Sequence, residues 1–225
     1  MATVKHRLVF RHQHIFVEID ESLWVYDTGA TTSFGMNPVS LLGSKINIPQ
    51  DYAGITPAAL SRFIGEKVIG LIGSDLMNHL DHLIDLKTNT LTVSDGELAS
   101  EGWFQGLDFF MGVPMVQASV AGQFNKFFFD TGAPISYFQE TIPAEAEPMG
   151  TLHDFFPTVG EFTTDTYSFK VQLHGMNPQI RFGKLPEPMG MSLGMADVSG
   201  ILGNELLRQR VTGYFPRRCR LVLQA

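Results

Sequence analysis

The tetrapeptide Asp27-Thr28-Gly29-Ala30 returns as Asp130-Thr131-Gly132-Ala133, and each copy closes a run of strand-forming residues, Leu23-Trp24-Val25-Tyr26 and Phe127-Phe128-Phe129. An ionisable Asp at the tip of a buried strand, followed by a turn that glycine permits, is costly to build even once. At average residue usage, a chance repeat of a given tetrapeptide has odds on the order of one in a few hundred. The flanking pattern repeats too, so duplication explains the pair better than coincidence. Two matching halves that each deliver a carboxylate point to one shared acid–base centre.

A second repeat supports this. Gly70-Leu71-Ile72-Gly73 is matched by Gly200-Ile201-Leu202-Gly203, and the match runs without a gap until Leu91 stands opposite Leu221. Internal duplication of this kind organises the whole chain, as residues 1–103 with the first Asp motif and 104–225 with the second. The Asp motifs are 103 residues apart but the glycine segments 130, so the second half carries 27 extra residues between them. Residues 154–162, 167–173 and 179–182, with Gly175-Met176-Asn177-Pro178 as a turn, predict two β-hairpins there. The first half has 42 residues between Asp27 and Gly70, partly helical and without a hairpin pattern.

The rest of the chain reads mainly as strands. Residues 8–10 and 14–19 alternate with period two, Asp20-Glu21-Ser22 makes a turn, and 23–26 lead to the first Asp. Thr56 and Pro57 predict a short helix over 58–63. Residues 68–79 predict a buried strand, a glycine turn and a helical turn, and 83–93 a hairpin. In the second half, 116–120 and 124–129 flank the turn Ala121-Gly122-Gln123.

Composition narrows the function classes. A hydrophobic content of 44% with 18 Phe, and only 17% charged residues, is that of a packed globular chain. A net charge of −7 disfavours nucleic acid or an anionic membrane as partner. The single cysteine, Cys219, excludes an intrachain disulfide and a cysteine-rich zinc site. The N-terminus lacks the apolar stretch of a signal peptide, and no run is long enough to span a bilayer, so a cytoplasmic protein is expected.

The twin motif resembles the aspartic peptidases of the pepsin–retropepsin type. Their hallmark is Asp-Thr/Ser-Gly followed later by two apolar residues and a Gly, here Ile69-Gly70 or Leu71-Ile72-Gly73, and Ile201-Leu202-Gly203. The resemblance implies an all-β, two-lobed acid-protease fold made from an internally duplicated retropepsin-like unit, with Asp27 and Asp130 meeting as the catalytic pair. Thr28, Gly29, Ala30, Thr131, Gly132 and Ala133 would support them, the two threonines by cross-bracing the loops. It further implies hydrolysis of an extended, apolar-rich peptide or protein substrate by a shared-proton dyad and an activated water, with no cofactor or metal and in a monomer. The alternative is a catalytically silent peptide-binding module on the same fold. Ala30 and Ala133 stand where pepsins place a hydroxyl, which predicts raised pKa values and an optimum at mildly acid to neutral pH. Pepsins carry their flap on the first half; the extra length here puts it on the second, near Thr158, Val159, Gly160, Glu161 and Phe162.

Other patterns read as ordinary structure. Gly190-Met191-Ser192-Leu193-Gly194 fits a nucleophile elbow in letters, but Pro186 and Pro188 precede it where a strand is needed. His12 with His14 on a strand face, and His79 with His82 on a helix face, lack a third metal ligand at recognisable spacing. Arg217, Arg218 and Arg220 read as a solvated strand edge, Cys219 as idle, and the ten Met as core filler.

Overall fold

A computed structural model describes residues 1–156, 160–208 and 210–224. The protein is mostly β, in two sheets of ten and eight strands.

In the first half, β1 (Thr3–Arg11), β2 (His14–Ile19) and β3 (Ser22–Tyr26) form an antiparallel meander. Its turns, His12-Gln13 and Asp20-Glu21, have positive φ at both residues, the twist that suits a two-residue hairpin. A short β4 (Phe34–Gly35) and helix α1 (Pro57–Ile64) come next. Thr56 caps α1 by accepting the Ala59 N–H at 3.2 Å, and Gly65 ends it in the left-handed region. Then follow β5 (Gly70–Ile72), the helical turn α2 (Ser74–Met77), and the hairpin of β6 (Asp81–Asp85) and β7 (Thr90–Ser94). His82 therefore lies on a strand, and the helix face expected to pair it with His79 does not exist.

The second half contains β8 (Trp103–Gly106), β9 (Asp108–Phe110), β10 (Val113–Val120), β11 (Gln123–Phe129) and β12 (Ser136–Phe138). After these come β13 (Glu147–Phe156), β14 (Gly160–Gln172), β15 (Gln179–Gly183), a nine-residue helix α3 (Glu187–Met195), and β16 (Gly200–Leu202). A 3₁₀ turn over Asn204–Leu207 leads to β17 (Val211–Phe215) and β18 (Arg220–Leu223). Strands β14, β15, β12, β16, β11 and β10 pair in turn, and β14 pairs back to β10, which closes a ring. Phe127, Phe138, Phe169 and Phe182 stack within it. Strands β17 and β18 belong to the other sheet, between β6 and β8.

Around each Asp motif the same pairings occur. β3 runs parallel to β5 and β11 parallel to β16, while β4 and β12 each pair antiparallel to the glycine-led strand. One large apolar cluster contains Leu8, Trp24 and Tyr26 together with Phe127, Phe129 and Leu221, so the halves share a core. Smaller clusters lie beneath α1 (Val25, Leu60, Leu71) and beneath α3 (Tyr137, Leu193, Ile201).

The arginines of the C-terminal turn are not a solvated edge. Arg217 and Arg218 both pair with Asp81, whose side chain is fully buried at the head of β6. Among the described residues, no helix is long and apolar enough to cross a membrane.

Candidate functional site

Each Asp sits where a strand ends between two neighbours. Its backbone N–H still joins the sheet, Asp27 to the Ile72 carbonyl at 3.0 Å and Asp130 to that of Leu202 at 2.9 Å. The chain then turns back over the side chain, so the Asp27 Oδ1 accepts from Gly29 N at 2.9 Å and Ala30 N at 3.0 Å. In the second loop Asp130 Oδ1 accepts from Gly132 N at 2.8 Å and Ala133 N at 3.2 Å. The alanines thus contribute backbone donors in place of side-chain ones.

The threonines lock the loops face to face. Thr28 N donates to Thr131 Oγ1 and Thr131 N to Thr28 Oγ1, both at 3.0 Å. Each hydroxyl then donates onward to a carbonyl of the opposite strand, Thr28 to Phe129 at 2.6 Å and Thr131 to Tyr26 at 2.8 Å. Both side chains are fully buried. In Thr28→Val or Thr131→Val, a buried N–H and a buried carbonyl lose their partners, so unfolding in urea should show a loss of about 2 kcal/mol.

This bracing sets the carboxylates against each other. A Cβ on Gly29 would lie 2.4 Å from the Asp130 carboxyl carbon, and one on Gly132 at 2.4 Å from that of Asp27, so only glycine fits at either position. Asp27 titrates well above the usual carboxylate range because of burial, then the Asp130 charge and the bond they share; the Ala30 and Gly29 N–H groups pull it back only in part. Burial likewise raises Asp130, offset by the bond to Asp27 and by N–H groups of Gly132, Ala133 and Gly29. The pair holds one proton over a pH range where an isolated Asp is ionised.

A cleft opens over the pair in two connected parts, of about 570 and 350 Å³, that share His14, Asp27, Leu60, Asp154, Phe155 and Phe162. The hairpin of β13 and β14 covers it. Gly160 pairs with Phe156 near the tip, and Glu161 and Phe162 line the cleft; Thr158 and Val159 lie outside the described residues. On the opposite wall, α1 presents Phe63, whose ring stacks on Phe155 with centroids 3.6 Å apart. Between Asp27 and α1, the described residues of the first half form the two-residue β4 and the isolated bridges Val39 to Ile46 and Tyr52 to Ile55, without a hairpin of strands.

Several residues at the cleft carried no functional signal in the sequence. His14 Nδ1 donates to the Gly132 carbonyl at 3.1 Å, joining β2 to the second Asp loop. Burial lowers its pKa despite the nearby Asp154. Tyr137 OH donates to Asp154, which the hairpin carries. The first turn of each half is also held by the other half: Asn204 Nδ2 donates to Gln13 O at 2.8 Å, and Asn78 Nδ2 to Gly112 O at 2.7 Å.

Directly behind the first loop, Tyr26 OH donates to His82 Nδ1 at 2.9 Å, and His82 Nε2 donates to the Met77 carbonyl at 2.9 Å. Both ring nitrogens are occupied in the neutral form, and burial lowers the pKa to about 4. The folded pKa lies below the unfolded value near 6.5, so this stabilisation is complete above that pH and fades as pH falls toward 4. The loss amounts to on the order of 3 kcal/mol. Urea titrations across this window should show it, and His82→Gln should flatten the slope.

Among the described residues, no group of three or more His, Cys, Asp or Glu side chains is placed to hold a metal ion. No protein-family model matches the chain, and no curated protein matches its sequence.

Proposed function

We propose that the protein is an aspartic-type endopeptidase with a pepsin-like architecture built from two retropepsin-like halves. The observation that carries this reading is the mutual seating of Asp27 and Asp130, each carboxyl against the other loop's glycine and both loops tied by Thr28 and Thr131. In the reaction, the ionised member takes a proton from a water held between them. The resulting hydroxide adds to the scissile carbonyl, which the protonated member polarises. The tetrahedral intermediate then collapses as a proton passes to the leaving amine. The hairpin excludes water and aligns an extended peptide, whose alternate side chains enter the apolar parts of the cleft.

The raised carboxyl pair supports a mildly acid to neutral optimum, and the acid sensitivity placed at His82 points the same way. The test is digestion of a mixed peptide library by wild type, Asp27→Asn and Asp130→Asn, with products identified by mass spectrometry across pH. Cleavage by wild type alone, strongest between mildly acid and neutral pH, is expected. Peptide binding without cleavage by any form would replace the enzyme by a silent binding module, and a peak near pH ~2 would contradict the electrostatics.

A further inference from the structure

The larger part of the cleft is unevenly charged. Asp154 and Glu161 line it beside Asp27, and no lysine or arginine is among the described residues lining either part. The Asp154 carboxylate is fixed by two neutral donors, Phe155 N at 2.7 Å and Tyr137 OH. Among the described residues, no lysine or arginine pairs with it. Three histidines line this part: burial lowers the pKa of His14, whose Nδ1 donates to a carbonyl, His153 Nδ1 meets the Thr163 hydroxyl, and His12 is exposed at the turn between β1 and β2. A half-buried carboxylate without a cation carries a desolvation penalty that a bound cation would offset. Around it lie Leu60, Phe63, Leu152 and Phe162, apolar surface of the kind that accepts the alkyl stem of a long basic side chain.

We infer that the cleft selects a substrate with a lysine or arginine side chain beside the dyad, and that Asp154 is the residue that determines this preference. The inference rests on the proposed use of the cleft for peptides and names the substrate class. Tyr137 acts as a positioning residue that aims the carboxylate.

The test uses apolar peptides identical except for one residue, lysine, norleucine or glutamate, walked along the sequence. Two readouts are taken at pH 7: kcat/KM with wild type, and Kd by fluorescence anisotropy with Asp27→Asn. At one position lysine should exceed norleucine by about tenfold, with glutamate last, and the advantage should shrink in high salt. In Asp154→Asn the lysine-to-norleucine ratio should fall toward one. A ratio between two peptides does not depend on how much of a variant is folded. Cleavage with no lysine preference overturns the inference and leaves the peptidase reading standing. Lysine-selective binding without cleavage does the reverse. A preference that survives in Asp154→Asn removes the role of that residue, and a failure to bind or cleave any peptide overturns both.

Discussion

In Asp27→Asn and in Asp130→Asn, peptide hydrolysis is expected to fall at least about a thousandfold while the protein melts higher, not lower, at neutral pH. Positioned acid–base groups contribute roughly 10²–10⁴ in rate, and under the proposed mechanism one group accepts a proton as the other donates. An amide can do neither. The stability change has the opposite sign to that of most buried substitutions. Both carboxyls titrate in the folded protein above their ordinary value. Their contribution is therefore most favourable below the usual carboxylate range and is lost as pH rises through the raised values. At pH 7 the pair works against folding, and one amide relieves the repulsion. Progress curves and thermal melts on the same preparation check both halves of the prediction. A variant that keeps cleaving would sink the shared dyad; one that is inactive and less stable would show that the fold was damaged instead.

Asp81→Ala should cost about 4 kcal/mol in chemical denaturation, in the range typical of breaking a buried ion pair. The carboxylate accepts from Arg217 Nη2 and Leu98 N, both at 2.9 Å, and from Arg218. The same arginines reach the carbonyls of Gly96 and Leu98, at 2.6 and 2.8 Å. Removing the carboxylate would leave two guanidinium groups facing each other over an empty acceptor position. Removing Arg218 as well should cost less than the two single changes added together, because the charges are coupled. A loss below about 1 kcal/mol in Asp81→Ala would place these contacts with ordinary surface pairs.

Much of this architecture was legible because it is local and repeated. Period-two alternation marked β1 and β2, Thr56-Pro57 marked α1, and the extra residues after Asp130 marked the hairpin on the second half. Helix α3 was missed although the glycine segments' offset of 130 places Pro57 to Ile64 over residues 187–194. Gly190 and Gly194 disguise it, since each disfavours a helix interior by about 1 kcal/mol relative to Ala. What holds the helix is the apolar cluster around Leu193 and Ile201, which only folding assembles. The same is true of His14, Tyr137 and Asp154, far apart in the chain and brought together by the cleft. Arg217 and Arg218 misled for a related reason, since their partner Asp81 is remote in sequence. Short-range patterns report elements; they do not report which distant side chain will neutralise a charge.

Strands β17 and β18 lie inside the ten-stranded sheet, between β6 and β8. During synthesis, β6 therefore leaves the ribosome long before the strand that will cover its edge. The Thr28 loop likewise waits for the hydroxyl of Thr131. Until then the emerging chain exposes both an open sheet edge and an incomplete hydrophobic interior, which makes it a natural client for a holding chaperone.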